Sequence, residues 1–307
     1  MKHVLSVGDL TPLEIQEVVH LAQKLKSEFK RKGANKSVLK GKTLVMIFEK
    51  PSLRTRLSFD IGMTQLGGHT VYISPTEVGL GKRESVSDVA NVVSRMGDII
   101  IVRVFDHRDL VEMARSSRVP VINALSDLEH PCQALADALT IIECKNTIKG
   151  KKIAFVGDGN NNIVHSLALV FAMLGAHFVV ASPRSYKMER GIRSRAERIA
   201  ARSNGSITEV ENPTRAVQDA DVVYTDTWVS MGRESERKKR LTALRPYQVT
   251  DDLMALAKRD ALFMHDLPTH RGQEVQASVI DGPRSVVFQQ AENRLHVQKA
   301  LLAMVLP

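Results

Sequence analysis

The stretch Thr43-Leu44-Val45-Met46-Ile47-Phe48-Glu49-Lys50-Pro51-Ser52-Leu53-Arg54-Thr55-Arg56 changes character twice. Through Phe48 it is an unbroken, β-rich apolar run, the pattern of a strand buried on both faces. Pro51-Ser52 interrupts the run, and Ser52 is placed to cap a helix that continues through Leu57, Phe59, Ile61 and Met63. A strand, a turn and a helix N-terminus in this order open a βαβ unit.

Working outward, further β-rich runs at 69–74, 99–104 and 119–123 are separated by helical stretches. A second start at Lys149-Gly150-Lys151-Lys152 leads into Ile153-Ala154-Phe155-Val156, with candidate strands near 177–181, 207–210, 221–225 and 262–265. Consecutive strands with helical crossovers form parallel sheets with right-handed connections. The expected fold is α/β, with two doubly wound parallel-sheet domains joined by interdomain helices. Residues 1–147 form the first domain and 148–290 the second, while 291–307, the end of an apolar run from Arg284 to Leu306, pack back on the first. The stretch from Pro131 to about Lys145 joins the halves. Ahead of the first strand, Thr11-Pro12-Leu13-Glu14 is a capping box opening a helix that stops near Gly33. Ligands of such sheets belong at the carboxyl ends of the strands, and a cleft between the domains is the expected site.

Composition narrows the function classes. With 307 residues, 43% hydrophobic and 25% charged, the chain is an ordinary globular one and not a disordered or fibrous one. Its longest apolar stretch, Leu167 to Ala176, falls short of a membrane span. Met1-Lys2-His3 has no apolar leader behind it, and two cysteines, Cys132 and Cys144, cannot build a disulfide framework, so a reducing cytoplasm is expected. The net charge of +9 invites a polyanion partner, but no helix-turn-helix, zinc-finger or RNP pattern supports nucleic-acid binding. Residues 184–202 carry seven basic and two acidic residues, and 233–245 carry six and two. These two segments account for the whole excess, which is expected to lie on a solvated helix face and in a mobile loop.

Two clusters can carry chemistry. Around Ser52, Arg54 and Thr55, a helix N-terminus with added donors suits a phosphate, although a capped helix with surface arginines reads the same way. His130-Pro131-Cys132-Gln133 opens a helix with proline at its first position, so His130 is either a catalyst or a local hydrogen-bonding residue. No HExxH motif and no ligand-spaced cysteine pair is present, so neither metal nor cofactor is expected.

The order of the Ser52–Arg56 turn, Arg103 and His130–Gln133 resembles the carbamoyl-phosphate half of the transcarbamylases. Four later stretches sharpen the likeness to the ornithine carbamoyltransferases: Gly157-Asp158-Gly159-Asn160-Asn161-Asn162, Asp226-Thr227-Trp228-Val229-Ser230-Met231-Gly232, His265-Asp266-Leu267-Pro268 and Asn293-Arg294. The resemblance covers essentially the whole chain. It implies that Ser52, Leu53, Arg54 and Thr55 hold a phosphate, and that Arg103, His130, Pro131, Cys132, Gln133, Asp266, Leu267 and Arg294 surround the rest of carbamoyl phosphate. Within that set Arg103, His130, Gln133, Asp266 and Arg294 are the implied catalytic residues. Asn161, Asn162, Asp226, Ser230 and Met231 are implied to hold L-ornithine. A homotrimer, or a multiple of trimers, follows from the same likeness, and the loop from Glu77 to Ser85 matches a segment that lies near the phosphate across a subunit boundary, where Lys82 or Arg83 would reach a neighbour. Synthesis of citrulline and its phosphorolysis are both compatible, because a catalyst accelerates both directions.

Two positions depart from the family pattern. Leu53 stands where threonine is frequent, a modest change if the backbone N–H does the binding. Asp266 stands where the family commonly has cysteine beside the substrate amine. A carboxylate there can accept the amine's proton, but it also stabilises the ammonium form and shifts the pH optimum. Alternatively Asp266 makes only a loop hydrogen bond, or its presence leaves a protein that binds without turnover. A dinucleotide enzyme is the remaining rival, since Val156-Gly157-Asp158-Gly159 follows a strand, but the third glycine is missing and no acid ends the following strand at Ala181-Ser182-Pro183-Arg184.

Overall fold

The computed structural model describes residues 3–306, so Met1 and Lys2, on which the expectation of a leaderless start partly rests, lie outside it. Two compact units are present, Met1–Leu139 with Glu292–Pro307, and Thr140–Ala291. The division falls before the expected 147/148 boundary because residues 143–145 belong with the second unit. Glu143 accepts from Gln289 Nε2 at 2.9 Å, and Lys145 Nζ meets Asp260 Oδ2 at 2.7 Å.

Unit 1 opens with α1 (Pro12–Lys32), started by Thr11 in the expected capping box and ended by Gly33 at φ 71°, a left-handed C-cap that favours glycine. Then follow β1 (Thr43–Phe48), α2 (Leu53–Gln65), β2 (His69–Ile73), α3 (Pro75–Val78), α4 (Val86–Val93), β3 (Ile99–Arg103), α5 (His107–Ser116), β4 (Val121–Leu125) and α6 (Pro131–Lys145), whose last residues pass into unit 2. All four strands are parallel in the order β2-β1-β3-β4. The connection direction reverses between β1 and β3, so a ligand is expected where their carboxyl ends diverge. One core cluster of the unit joins Val45, Ile47, Ile100 and Val102 to Val89, Ala90, Leu110 and Met113. The segment before α1 docks beside β4, with Val4 N–H bonded to Val121 C=O at 2.9 Å and Asn123 N–H to Val4 C=O at 2.8 Å.

Unit 2 contains β5 (Lys152–Val156), α7 (Asn162–Met173), β6 (His177–Ala181), α8 (Arg190–Ser203), β7 (Ser206–Val210), α9 (Pro213–Val217), β8 (Val222–Tyr224), α10 (Arg237–Leu244), α11 (Asp251–Ala255), β9 (Leu262–Met264), α12 (Ala277–Ile280) and the start of α13 (Val287–Val305). Its five strands are parallel in the order β7-β6-β5-β8-β9. The switch point lies between β5 and β8, which places the segments after them, 157–162 and 225–231, at the ligand position.

Two expectations about charge need correction. Residues 184–189 precede α8, and within 184–202 Arg184 pairs with Glu211 at 2.6 Å, and Arg193 with Glu197 at 2.8 Å and with the buried Glu209 at 2.7 Å. Residues 237–244 form a helix, and Arg240 is buried. Arg193, through the buried Glu209, and Arg240 are drawn into the scaffold, whereas the Arg184 pair stays exposed to solvent.

Candidate active site

In unit 1 the carboxyl ends of β1, β3 and β4 carry the residues singled out above. Ser52 is the N-cap of α2 and accepts from the Thr55 N–H at 3.3 Å, so its role as a cap is real. Leu53 begins the helix with its side chain largely exposed, whereas Thr55 is fully buried. Arg103 is the last residue of β3 and is buried. His130 is buried immediately ahead of α6, whose first residues are Pro131, Cys132 and Gln133. Arg294, on α13, donates from Nη2 to Thr55 Oγ1 at 2.5 Å. The structure thus brings the expected residues of this unit together from four separate stretches of chain.

The electrostatics of the cluster follow from burying many cations together. His130 is held well below the ordinary histidine value by burial, then by the charges of Arg294, Arg103, Lys50 and Arg54, so its ring is the neutral imidazole. Gln133 donates from Nε2 to Asp137 Oδ1 at 2.9 Å, and its buried Oε1 has no hydrogen-bond partner among the described residues. Cys132 turns its thiol to the Asn123 carbonyl at 3.4 Å, and burial pushes it up to about 12, which makes it an inert packing group. Lys50 was not among the expected residues. Burial, then the Arg103 charge, pushes it down to about 8, and its Nζ lies 4.5 Å from the centre of the Phe105 ring. Its signal in the sequence was a charge between a buried strand and the capped turn. The 77–85 loop holds Arg83 by a bond to the Glu77 carbonyl at 3.3 Å and an exposed 3.8 Å pair with Glu84.

Behind His130, Glu129 is buried and accepts from Ser6 Oγ at 2.5 Å and Val7 N–H at 3.0 Å. The segment beside β4 therefore also fixes the loop that carries the histidine. No local pattern in the sequence signals this contact.

Unit 2 gathers carboxyls. Asn161 caps α7 by accepting from the Val164 N–H at 2.8 Å, and its Nδ2 donates to Asp226 Oδ2 at 3.3 Å. Asn162 is the first residue of α7. Asp226 follows β8, is buried, and also accepts from the Thr227 N–H at 2.5 Å. Burial, then the Asp266 charge and a hydrogen bond shared with Asp266, pushes Asp226 well above the usual carboxylate range, so Asp226 keeps its proton to higher pH than an ordinary aspartate. Asp266 and Leu267, expected at carbamoyl phosphate, thus lie in this unit beside Asp226, and Leu267 is held at φ 58°, a left-handed conformation costing about 1–2 kcal/mol in a non-glycine residue. Among the described residues no hydrogen bond joins Ser230 or Met231 to this group. Ser230 accepts the Arg233 N–H through its carbonyl at 3.0 Å, and Met231 is half-exposed.

Glu274 is the unforeseen member of this cluster. Burial alone would raise its carboxyl, but donors from His265 and the His270 N–H hold it below the usual range, and Thr269 Oγ1 adds a bond at 3.0 Å. His265 accepts the Leu267 N–H on Nδ1 at 2.9 Å, and its Nε2 lies 3.4 Å from Glu274 Oε1. Although Asp226, His265 and Asp266 bring possible ligand atoms within 4.8 Å of one another, the Nδ1 lone pair is committed to that amide and the donor set does not suit a metal.

The glycine loop argues against a dinucleotide as well. A Cβ on Gly159 would sit 2.7 Å from the Tyr186 carbonyl and 2.8 Å from Ser182 Oγ, so the group that approaches this glycine closely is the chain itself. Arg184, which follows the next strand and is the cation there that could meet an NADP phosphate, pairs with Glu211 at 2.6 Å.

Relatives match both halves. The carbamoyl-P binding domain of aspartate/ornithine carbamoyltransferase matches residues 2–143, and the Asp/Orn binding domain matches 149–305. The ornithine carbamoyltransferase of Pyrococcus abyssi is 50% identical over 305 residues, covering 99% of this chain and 96% of the relative. That of Halalkalibacterium halodurans is 48% identical, covering 99% and 95%. The solved ornithine carbamoyltransferase of Pyrococcus furiosus superposes with a TM-score of 0.96 at 49% identity, covering 99% of this chain and 97% of that one. Matched along both domains and in both sheets, the chain belongs to the aspartate/ornithine carbamoyltransferase family.

Proposed function

We propose that the protein transfers the carbamoyl group of carbamoyl phosphate to the side-chain amine of L-ornithine, giving L-citrulline and phosphate in arginine biosynthesis. The observation that carries this reading is full-length likeness, at 48–50% identity, to enzymes named ornithine carbamoyltransferase. The chemistry of the two clusters supports it: a cation-lined one suits a dianion, and one that pairs carboxyls with the amides of Asn161 and Asn162 suits a diamino acid.

In this mechanism the Ser52–Thr55 turn and Arg54 hold the phosphate. Arg103, neutral His130 and Thr55 donate to the carbamoyl oxygen as it becomes an oxyanion, with Arg294 adding charge, and one such donor is worth about 10²–10³ in kcat. Gln133 Oε1 accepts from the carbamoyl NH2. Asp226 and Asn161-Asn162, with the Ser230-Met231 backbone, hold the α-amino-acid end. The amine nitrogen forms a bond to the carbamoyl carbon, the C–O bond to phosphate breaks, and the amine's proton passes to Asp266 or the departing phosphate. No covalent enzyme intermediate is required.

A homotrimer, or a multiple of it, in the cytoplasm completes the proposal. Its support is the exposed apolar face Leu53, Leu57 and Ile61 of α2 beside Val71 of the edge strand β2, together with two cysteines that are not joined in a disulfide. None of the described helices is long and apolar enough to cross a membrane. Carbamoyl phosphate offered with a panel of amines tests the reaction, scoring phosphate release and ureido product. Ornithine should be the best acceptor. Greater activity with putrescine, or binding of ornithine without citrulline formation, would overturn the proposal.

A further inference from the structure

Arg240 points inward from α10 with 8% of its side chain exposed. Its Nη1 donates to Asp158 Oδ2 at 2.6 Å and to the Trp228 carbonyl at 3.3 Å, and its Nε donates to Glu236 Oε2 at 2.8 Å. The guanidinium also lies 5.2 Å from the centre of the Tyr186 ring. The other Asp158 oxygen accepts the Asn160 N–H at 2.9 Å. One residue further, Asn161 reaches Asp226 at 3.3 Å, and Asp226 leads through Thr227 back to Trp228.

These links close a ring: Arg240, Asp158, Asn160, Asn161, Asp226, Thr227, Trp228 and Arg240 again. The ring has two cross-ties between the segment after β5 and the segment after β8. One is Asn161–Asp226, inside the cluster assigned to the amino acid. The other is the guanidinium, which faces no substrate group in that assignment. Resting on the reading of 226–231 as the amino-acid grip, we infer that Arg240 is a positioning residue: by binding Asp158 and the Trp228 carbonyl at once it sets the spacing between Asn161-Asn162 and Asp226–Met231, and so the preference for an α-amino-acid acceptor. A planar, permanently charged fork serves two acceptors in fixed geometry, whereas an ammonium on a flexible stem does not.

Arg240→Lys keeps the charge and loses the fork. Its KM for ornithine should rise about tenfold, roughly the effect of one charge-assisted hydrogen bond. The KM for carbamoyl phosphate should not move, and the preference for ornithine over putrescine should narrow. Asp158→Asn breaks the same ring from the other side and carries the test if Arg240→Lys does not fold. The double variant should be no worse than the poorer single one, because both open one ring. An unchanged ornithine KM in either folded variant, or fully additive losses, overturns the inference. Asp226→Ala separates this from the underlying reading. If it leaves the ornithine KM unchanged, the assignment of the grip fails, and if it raises that KM while the ring variants do not, only the role of Arg240 fails.

Discussion

Asp266, which the family pattern leads one to expect as cysteine, acts on the cluster through Asp226. Burial and the neighbouring Asp266 carboxyl keep the Asp226 proton on to a higher pH than an ordinary aspartate would. Asp226 must ionise to pair with an α-ammonium, so the acid limb of the pH–rate profile reports this pair. Asp266→Asn or Asp266→Cys removes the like charge and should move that limb to lower pH, with kcat/KM for ornithine followed between mild acid and pH 9. A limb that stays in place would show that Asp266 does not tune the site. Stability responds with a defined sign. A carboxyl whose folded pKa lies above its unfolded value, about 4, stabilises the fold fully below the latter and loses that contribution as pH rises through the former. Asp226→Asn should therefore leave Tm unchanged in acid and raise it at alkaline pH, while weakening ornithine binding. Thermal melts across the pH series measure this.

At the scale of elements, the loop between β5 and α7 is defined by contacts that its glycines permit. In Gly159→Ala the new Cβ meets the Tyr186 carbonyl at 2.7 Å, a backbone atom that cannot swing aside. A loss of about 1–3 kcal/mol is expected from this overpacking, with a raised ornithine KM, since Asn160-Asn161 must shift. Wild-type ornithine affinity in the alanine variant would refute the assignment of this loop to substrate. Elements were largely legible because apolar runs and caps are local signals: 43–48, 177–181 and the helix from Pro131 were placed as found. The fourth strand was expected at 119–123 but runs Val121–Leu125, because Pro120 has no N–H to give the ladder. The site was legible only where its residues share a short motif. Lys50 beside Arg103, Glu274 beside His265, Glu129 under Ser6 and Arg240 on Asp158 are meetings of distant segments, and nothing local in the chain announces a buried charge pair.

Over the whole molecule, the +9 excess already counts the acids that pair with Arg184, Arg193 and Arg240, so those pairs localise charge without reducing it. The excess acts on a small dianion at long range and is screened within about 8 Å at physiological salt. The KM for carbamoyl phosphate should therefore rise with added salt, whereas the ring around Arg240 should hold. A salt-independent KM would show that net charge plays no part in capture.

Unit 2 is a continuous piece of chain, and unit 1 is not: it needs Glu292–Pro307 to be whole. That last segment brings Arg294 to Thr55, Asn293 to Lys26 at 2.6 Å, and Lys299 to Asn35 at 2.7 Å and Gln65 at 2.8 Å. During synthesis the ornithine half can close before its predecessor does, and the carbamoyl-phosphate half waits, its buried amides and lysine unsatisfied, until residues 292–306 have left the ribosome. A chain cut short before residue 292 therefore lacks Arg294, and with it one of the cations assigned above to carbamoyl phosphate.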